Sequence, residues 1–224
     1  MSDTRNLRTG SGWVSDIKRI DNGIVEDNGI KVDYTLCWCR KCQDSVTPSK
    51  VWWEFDVVTA THVVFDDVEA RHTTLRLFYD TDDSPIIKAD QVIFVDKNIK
   101  YDSCLLKGVT CNKNLGGKLK VMFNHYENIW WKVFNKYFDT RDRHKFNFIV
   151  SHPHGCCKQV SLGKWKDQFK LDDRTRLTYT TCTCPGSSGA HVHCLGYNWR
   201  WWSDLVHSGS LKSGLNYSGC GRVV

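Results

Sequence analysis

Residues 181–193 read TCTCPGSSGAHVH, and the tetrad Gly186-Ser187-Ser188-Gly189 inside them is the first place where the sequence offers chemistry. A serine hydroxyl becomes a useful nucleophile when a tight turn presents it and backbone N–H groups beside it can receive an oxyanion. Pro185-Gly186 ahead of Ser188 and Gly189-Ala190 behind it supply such a turn, although the tetrad alone reads equally well as a flexible loop. The hydroxyl also needs a base, and the base an orienting carboxylate. VVTATHVVFD, residues 57–66, offers His62 after a β-branched run, and IKYDSCLLKG, residues 99–108, offers Asp102 at the entrance to the apolar Cys104-Leu105-Leu106. Asp90 and Asp96 compete for the carboxylate role but lead into no such stretch. Taken singly, His62 is also readable as a satisfied core histidine and Asp102 as a turn acid at the surface.

A second cluster is sulfur. The chain has eleven cysteines, so at least one has no intrachain partner. CWCRKC brings Cys37, Cys39 and Cys42 together, and zinc takes four ligands that often come two to four residues apart. A fourth ligand is available from Cys111, or from Cys156-Cys157 beside His152 and His154. His191, His193 and Cys194 form another candidate set, since strand alternation puts the two histidines on one face. The competing reading is unpaired cysteines and surface histidines. The serine chemistry requires no cofactor, so a zinc ion here is structural.

The elements that position these residues are mostly extended. In 224 residues, 41% are apolar and 12% aromatic, which suffices for one large core or two smaller ones. Ten tryptophans and ten phenylalanines among many Val, Thr and Gly favour strands. Candidate strands fall at 24–34, 51–60, 73–79, 92–95, 146–150, 159–163 and 190–195, with Ile30, Val32 and Tyr34 expected on one face. Residues 125–138, HYENIWWKVFNKYF, carry Ile129, Trp130, Val133, Phe134, Tyr137 and Phe138 at helical spacing and predict one amphipathic helix. The resulting layout is a β-rich unit over 1–115 carrying His62 and Asp102, a helical connection over 116–145, and a β-rich unit over 146–224 carrying Ser188. The net charge of +6 is spread along the chain and forms no nucleic-acid-binding stripe. No run of eighteen apolar residues is present, which excludes a spanning helix. MSDTRNLRTGSGW lacks an apolar signal core, so a cytoplasmic chain with reduced cysteines is expected, or a secreted one if the N-terminus is truncated.

The order His62, Asp102, Ser188 and its surroundings resemble the chymotrypsin-like (trypsin-fold) serine peptidases, in the style of their signal-less, non-zymogen members. TATHVV is similar to that family's Thr-Ala-Ala-His-Cys/Val-Val segment, YDSCLL to its Asp-Ile-Ala-Leu-Leu segment, and PGSSGAHV to its Gly-Asp/Asn-Ser-Gly-Gly-Pro-Val segment. Gly10-Ser11-Gly12-Trp13-Val14 resembles the Gly-Ser/Thr-Gly-Phe-Val entry strand, and Val150-Ser151-His152-Pro153-His154-Gly155 the turn that opens the second barrel. The resemblance implies an all-β fold of two antiparallel six-stranded Greek-key barrels with one inserted connecting helix. It implies Ser188 as nucleophile, His62 as general base and then acid, Asp102 as its orienter, and the N–H groups of Gly186 and Ser188 as the oxyanion hole. The partner it implies is a polypeptide substrate, with neither nucleic acid nor membrane.

Departures from the family pattern carry their own expectations. Ser187 replaces the aspartate that pairs with a freed N-terminus in zymogen-activated members, so that switch is absent. His191 replaces a proline, and Cys104 a small apolar residue. Leu205-Val206-His207-Ser208-Gly209 corresponds to the wall of the specificity pocket, with His207, Ser208, Gly209 and Cys182 as its candidate lining. A histidine on that wall occurs in glutamate-specific and picornavirus-type members, which implies Glu or Gln at P1. The alternative is a solvent-facing His207. Cys182, six residues before Ser188, is not the aspartate of Arg/Lys-specific members. Two other functions stay open: a catalytically silent binding module using the aromatic helix, and, last, a zinc-dependent nucleic-acid binder.

Overall fold

Extended segments of the first half form β1 (Trp13–Asp21), β2 (Ile24–Val25), β3 (Val51–Thr59), β4 (Arg76–Leu77), β5 (Ile87–Lys88), β6 (Gln91–Asn98) and β7 (Ser103–Thr110) in the computed structural model, which describes residues 8–197 and 205–222. Two short helices, α1 (Arg40–Gln43) and α2 (Asp67–His72), interrupt them, and the long α3 (Lys113–Tyr137) and short α4 (Arg141–His144) follow. The second half contributes β8 (Phe146–Ser151), β9 (Gln159–Leu171), β10 (Arg174–Tyr179), β11 (Val192–Cys194), β12 (His207–Ser210) and β13 (Asn216–Gly221). The protein is therefore mostly β-sheet, as expected. The first sheet has five strands in the order β2-β1-β3-β7-β6, with β4 and β5 forming a separate ladder. The second has six, in the order β11-β8-β9-β10-β13-β12.

β3 is the spine of the first sheet. Its sequence VWWEFDVVT is rich in β-branched and aromatic residues, and nearly every position is buried because it is paired on both sides. Ile17 of β1, Trp53 and Phe55 of β3 and Leu106 of β7 form its core. In the second sheet Ile149, Trp165, Leu177, Tyr179 and Val192 pack together with Leu205. There the chain beside β11 also bonds to the chain entering β12. Val192 N–H donates to Leu205 C=O at 2.8 Å, His207 N–H to Ala190 C=O at 2.8 Å, and Gly189 N–H to His207 C=O at 2.9 Å. These bonds join the two edges of the sheet.

Three expected elements differ. Residues 24–34 make a tight turn instead of one long strand: Asp27-Asn28-Gly29 reverses the chain, with Gly29 at φ +67° and its N–H donating to Val25 C=O at 2.9 Å. Ile30 and Tyr34 are consequently exposed. In 73–79 only the two residues of β4 are paired, because Phe78 takes a left-handed conformation (φ 56°) that ends the extended run. The helix begins at Lys113, well before 125. Asn112 caps it, its side chain accepting the N–H groups of Asn114 and Leu115 at 3.0 and 3.2 Å, and Leu115 and Leu119 extend the apolar face upstream.

That extra length lets α3 touch both sheets. Leu115 and Leu119 enter the first core, while Trp130 packs edge-on to Phe148 of β8 at 6.1 Å and to His193 of β11 at 5.2 Å. Only part of the predicted stripe is packing, since its Ile129 and Phe138 are exposed while Trp130 is buried. No helix among the described residues is long and apolar enough to cross a membrane.

Gly116 is the close contact that seats α3. A Cβ there would lie 2.1 Å from the Trp53 ring, whereas one at Gly117 would meet nothing within 4 Å. Gly117→Ala should therefore stabilise the protein by about 1 kcal/mol through helix propensity. Gly116→Ala should destabilise it by about 1–3 kcal/mol by overpacking, and urea unfolding of the two variants reads the opposite signs.

Candidate active site

The strand end that carries His62 is made by a single turn. Val63 and Val64 N–H both reach Ala60 C=O, at 3.0 and 3.3 Å, so the chain leaves β3 sharply and His62 stands exposed at the corner. Thr61 fixes this corner to the opposite hairpin, its hydroxyl lying 2.7 Å from Ser103 C=O and 3.3 Å from Asn98 C=O. Asp102 is the last residue before β7 and adopts a left-handed conformation, φ 51°, which a short polar side chain tolerates and a β-branched one does not.

The two side chains meet. His62 Nδ1 lies 2.9 Å from Asp102 Oδ2 and 3.1 Å from Oδ1, and the His62 backbone N–H donates to Oδ1 at 3.2 Å. Ser208 Oγ donates to the same carboxylate from β12. Burial alone would raise the Asp102 carboxyl, but the hydrogen bonds from His62 and Ser208 outweigh it and hold it below the usual carboxylate range. Asp102 is therefore ionised at neutral pH and fixes the imidazole with Nδ1 inward. The other ring nitrogen, Nε2, has no hydrogen-bond partner among the described residues. Asp90 is engaged elsewhere, by Lys41 at 2.5 Å and Thr110 at 2.7 Å, and among the described residues Asp96 accepts the neighbouring Lys97 N–H at 2.8 Å and no other donor.

The turn bearing Ser188 is held from three directions. Ser11 N–H donates to Ser188 C=O and Ser11 Oγ to Gly186 C=O, both at 2.8 Å, while Ser11 C=O accepts Thr59 Oγ1, also at 2.8 Å. His152 N–H closes the set on Ser11 Oγ at 2.9 Å, and His154 N–H donates to Pro185 C=O at 2.6 Å. Gly189 sits at φ +85°, where a Cβ would meet Thr59 Oγ1 at 2.1 Å and Ser11 O at 2.3 Å, so the turn is docked directly on the end of β3. Gly186, at φ +95°, is also close-packed: a Cβ there would lie 2.8 Å from the His152 carbonyl oxygen and 2.8 Å from the His154 backbone nitrogen. Neither the Gly186 nor the Ser188 N–H has a protein acceptor among the described residues. Ser187, in contrast, is fully buried, its hydroxyl 3.2 Å from Ser151 Oγ and 3.3 Å from the Cys184 N–H.

The remaining sequence candidates are placed as follows. His207 is buried, with Nδ1 2.8 Å from the Tyr179 hydroxyl, and burial together with the nearby His62 pushes it down to about 4. Ser208 is engaged by Asp102, a bond that neither composition nor spacing signals, because its partner lies 106 residues away. Gly209 lies against the Tyr217 ring, and Cys182 is exposed. Cys37, Cys39 and Cys42 come together with Cys111, whereas Cys156 is exposed and belongs to no such cluster. His191 and His193 share a face, their ring centroids 4.3 Å apart, but Cys194 alternates into the core of the second sheet. Burial holds His191 down at about 3 and pushes His193 well below the ordinary imidazole range, so both rings are neutral packing groups against Trp13 and Phe148. All eleven cysteines are free thiols.

No family model matches the sequence, and no curated protein matches it. Among solved structures, the chain is similar to the Rv3671c protease in an inactive form, with 12% identity, a TM-score of 0.43, and coverage of 75% of this chain and 77% of that one. A serine-to-alanine mutant of Rv3671c from M. tuberculosis H37Rv, also an inactive form, aligns with 10% identity and a TM-score of 0.43, covering 75% of each chain.

Removing the Ser11 hydroxyl strips partners from the Gly186 carbonyl and the His152 N–H in a buried setting. Ser11→Ala should cost about 2 kcal/mol of stability. Urea unfolding should show it, and an unchanged midpoint would mean that the turn is held without this clamp.

Proposed function

We propose that the chain is a serine endopeptidase that hydrolyses peptide bonds through an acyl-enzyme, with Ser188 as nucleophile. The observation that carries this reading is the double engagement of Asp102 by the ring and backbone of His62. It leaves the second imidazole nitrogen unpartnered among the described residues, while the Ser188 turn docks on Thr59 and Ala60 at the entrance to the same corner. In the proposed reaction His62 Nε2 takes the Ser188 proton as Oγ attacks the carbonyl carbon, and Asp102 steadies the imidazolium. The N–H groups of Gly186 and Ser188 receive the oxyanion. His62 then returns the proton to the leaving amine, and water repeats the sequence to release the acid. No metal or organic cofactor takes part.

In this reading the units over 1–115 and 146–224 are the two barrels and 116–145 is the connection between them. The edge-to-edge bonds of the second sheet support closure there. The free thiols suit a reducing, cytoplasmic setting, with a polypeptide as the substrate partner. A fluorophosphonate probe should label the wild-type protein, and labelling should vanish in both Ser188→Ala and His62→Ala. A folded wild-type protein that takes no label would sink the reading. It would favour instead a binding module using α3, where Val121 and Met122 are 70% and 46% exposed.

The strand carrying His207 suggests a P1 preference. A histidine at about 4 is neutral at pH 7, and its Nδ1 competes at 2.8 Å with the Tyr217 carbonyl at 3.2 Å for the single Tyr179 proton; when that proton turns to Nδ1, the Nε2 of His207 carries the hydrogen and donates to a side-chain carbonyl. A neutral donor suits an amide better than a carboxylate, so Gln is expected ahead of Glu and both ahead of other residues. A peptide library scanned at P1 at pH 7 checks this, and best turnover after Arg or Lys would exclude it.

A further inference from the structure

CWCRKC remains unused by the peptidase reading, and its geometry is specific. The sulfurs of Cys37, Cys39, Cys42 and Cys111 all lie within 4.8 Å of one another, and those of Cys39 and Cys111 are 3.7 Å apart. A disulfide requires about 2.05 Å. A tetrahedral zinc ion with Zn–S bonds of about 2.3 Å places its sulfurs about 3.8 Å apart. The four atoms are therefore spaced as the corners around one ion, not as two bonded pairs. An iron–sulfur cluster interposes its own iron and sulfide atoms and needs protein sulfurs farther apart.

The local chain is built to bring them there. Cys39 immediately precedes α1 and Cys42 lies within it, so the C-x-x-C pair stands one helical turn apart on one side, with Cys42 N–H on Cys39 C=O at 2.9 Å. Two backbone N–H groups point at sulfur: Cys39 N–H at Cys37 Sγ, 3.5 Å, and Ser49 N–H at Cys42 Sγ, 3.4 Å. Donors of this kind stabilise thiolate charge and orient ligands. Cys111 arrives from β7, far away in sequence, and is followed by Asn112, the cap of α3. Ile20, Val25, Trp52 and Val109 close around the cluster, and Cys37, Cys39 and Cys42 are buried.

The segment that contains the three cysteines needs a fastening. Between β2 and β3 the chain runs over residues 26–50 with only the four-residue α1 as regular structure. Loops of this length are uncommon in a compact domain unless they serve a function or are held. The loop is also anchored on Glu54 of β3, whose Oε1 accepts Tyr34 Oη at 2.9 Å and Trp38 Nε1 at 2.6 Å, together with Trp52 Nε1 of the same strand at 3.0 Å.

We propose that Cys37, Cys39, Cys42 and Cys111 form a structural tetrathiolate site for one zinc ion, which ties the 26–50 loop to the end of β7 and the start of α3. Binding exchanges thiol protons for metal bonds. Each coordinating cysteine that starts protonated releases its proton to water as its Zn–S bond forms, with no change of oxidation state. The site is independent of the Ser188 chemistry and stands or falls separately from it.

Elemental analysis of the full chain, purified under reducing conditions without chelator, is the test. It should find one zinc ion per chain, and replacement by cobalt(II) should give the intense sulfur-to-metal absorption of a tetrahedral thiolate site. Cys39→Ser and Cys111→Ser should each lower metal affinity by at least about tenfold, while Cys156→Ser, remote and exposed, should leave it unchanged. Should the variants fail to fold, alkylation of the wild-type protein decides: the four thiols should be protected until a chelator is added. A folded wild-type chain that takes up neither zinc nor cobalt overturns the proposal. So do stoichiometric iron in place of zinc, a Cys39–Cys111 disulfide, and four thiols that alkylate equally with and without chelator.

Discussion

One buried serine near the start of the described chain holds the two halves of the molecule in register. Ser11 spends its N–H, its carbonyl and its hydroxyl on groups from different parts of the fold: Ser188 and Gly186 in the turn, Thr59 at the end of β3, and His152 after β8. The His62 corner begins at Ala60, one residue beyond Thr59, so the same set of bonds docks the turn on the strand end that leads into His62. A buried hydroxyl can act this way because it donates to one segment and accepts from another, and removing it strands both partners at once. Glycine at 186 and 189 is what lets the chain come this near, since positive φ and contacts below 3 Å leave no room for a side chain.

Asp102 is the electrostatic counterpart of this clamp. Partial burial opposes its charge, and the charge persists because three donors, two from His62 in the turn after β3 and one from Ser208 in β12, converge on one carboxylate. β12 brings both Ser208 to that carboxylate and the His207 carbonyl to the Gly189 N–H. The orientation of His62 and the position of the serine turn thus depend on one short strand. α3 adds a second tie between the sheets, with Leu115 and Leu119 in one core and Trp130 against the other. Its seat needs Gly116 because the Trp53 ring occupies the space where a side chain would start.

What was legible in the sequence depended on whether the cause was local. Strands 51–60 and 146–150 announced themselves because β-branched and aromatic runs specify extended chain directly. His62 and Asp102 were readable as a candidate pair from their flanking segments. Ser11 and Ser208 were unreadable in their present parts, because each acts through a contact more than a hundred residues away. At 24–34 the alternation of Ile30, Val32 and Tyr34 is overridden by Asp27-Asn28-Gly29, a turn signal that wins because it costs no steric strain. The long helix shows its period in sequence only along its aromatic half. Two glycines at 116 and 117 hid its start, and the Asn112 cap outweighs their low propensity.

β3 and β7 carry chemistry at both ends, and their length separates it. They pair antiparallel from Trp53↔Thr110 to Thr59↔Cys104, so the His62 corner and Asp102 stand at one end and the cysteine cluster at the other. From Ser103 to Thr110 the strand spans about 24 Å at about 3.4 Å per residue. A metal held by Cys111 is too distant to polarise a bond at Ser188 or to shift the charge on Asp102 across solvent-screened protein. Its effect on the candidate active site is confined to the stability of the strand pair and of the loop packed on Trp52. The pairing of β3 with β7 thus delivers the histidine and the aspartate to each other at one end, while at the other the clustered cysteines pack with Trp52 and Val109.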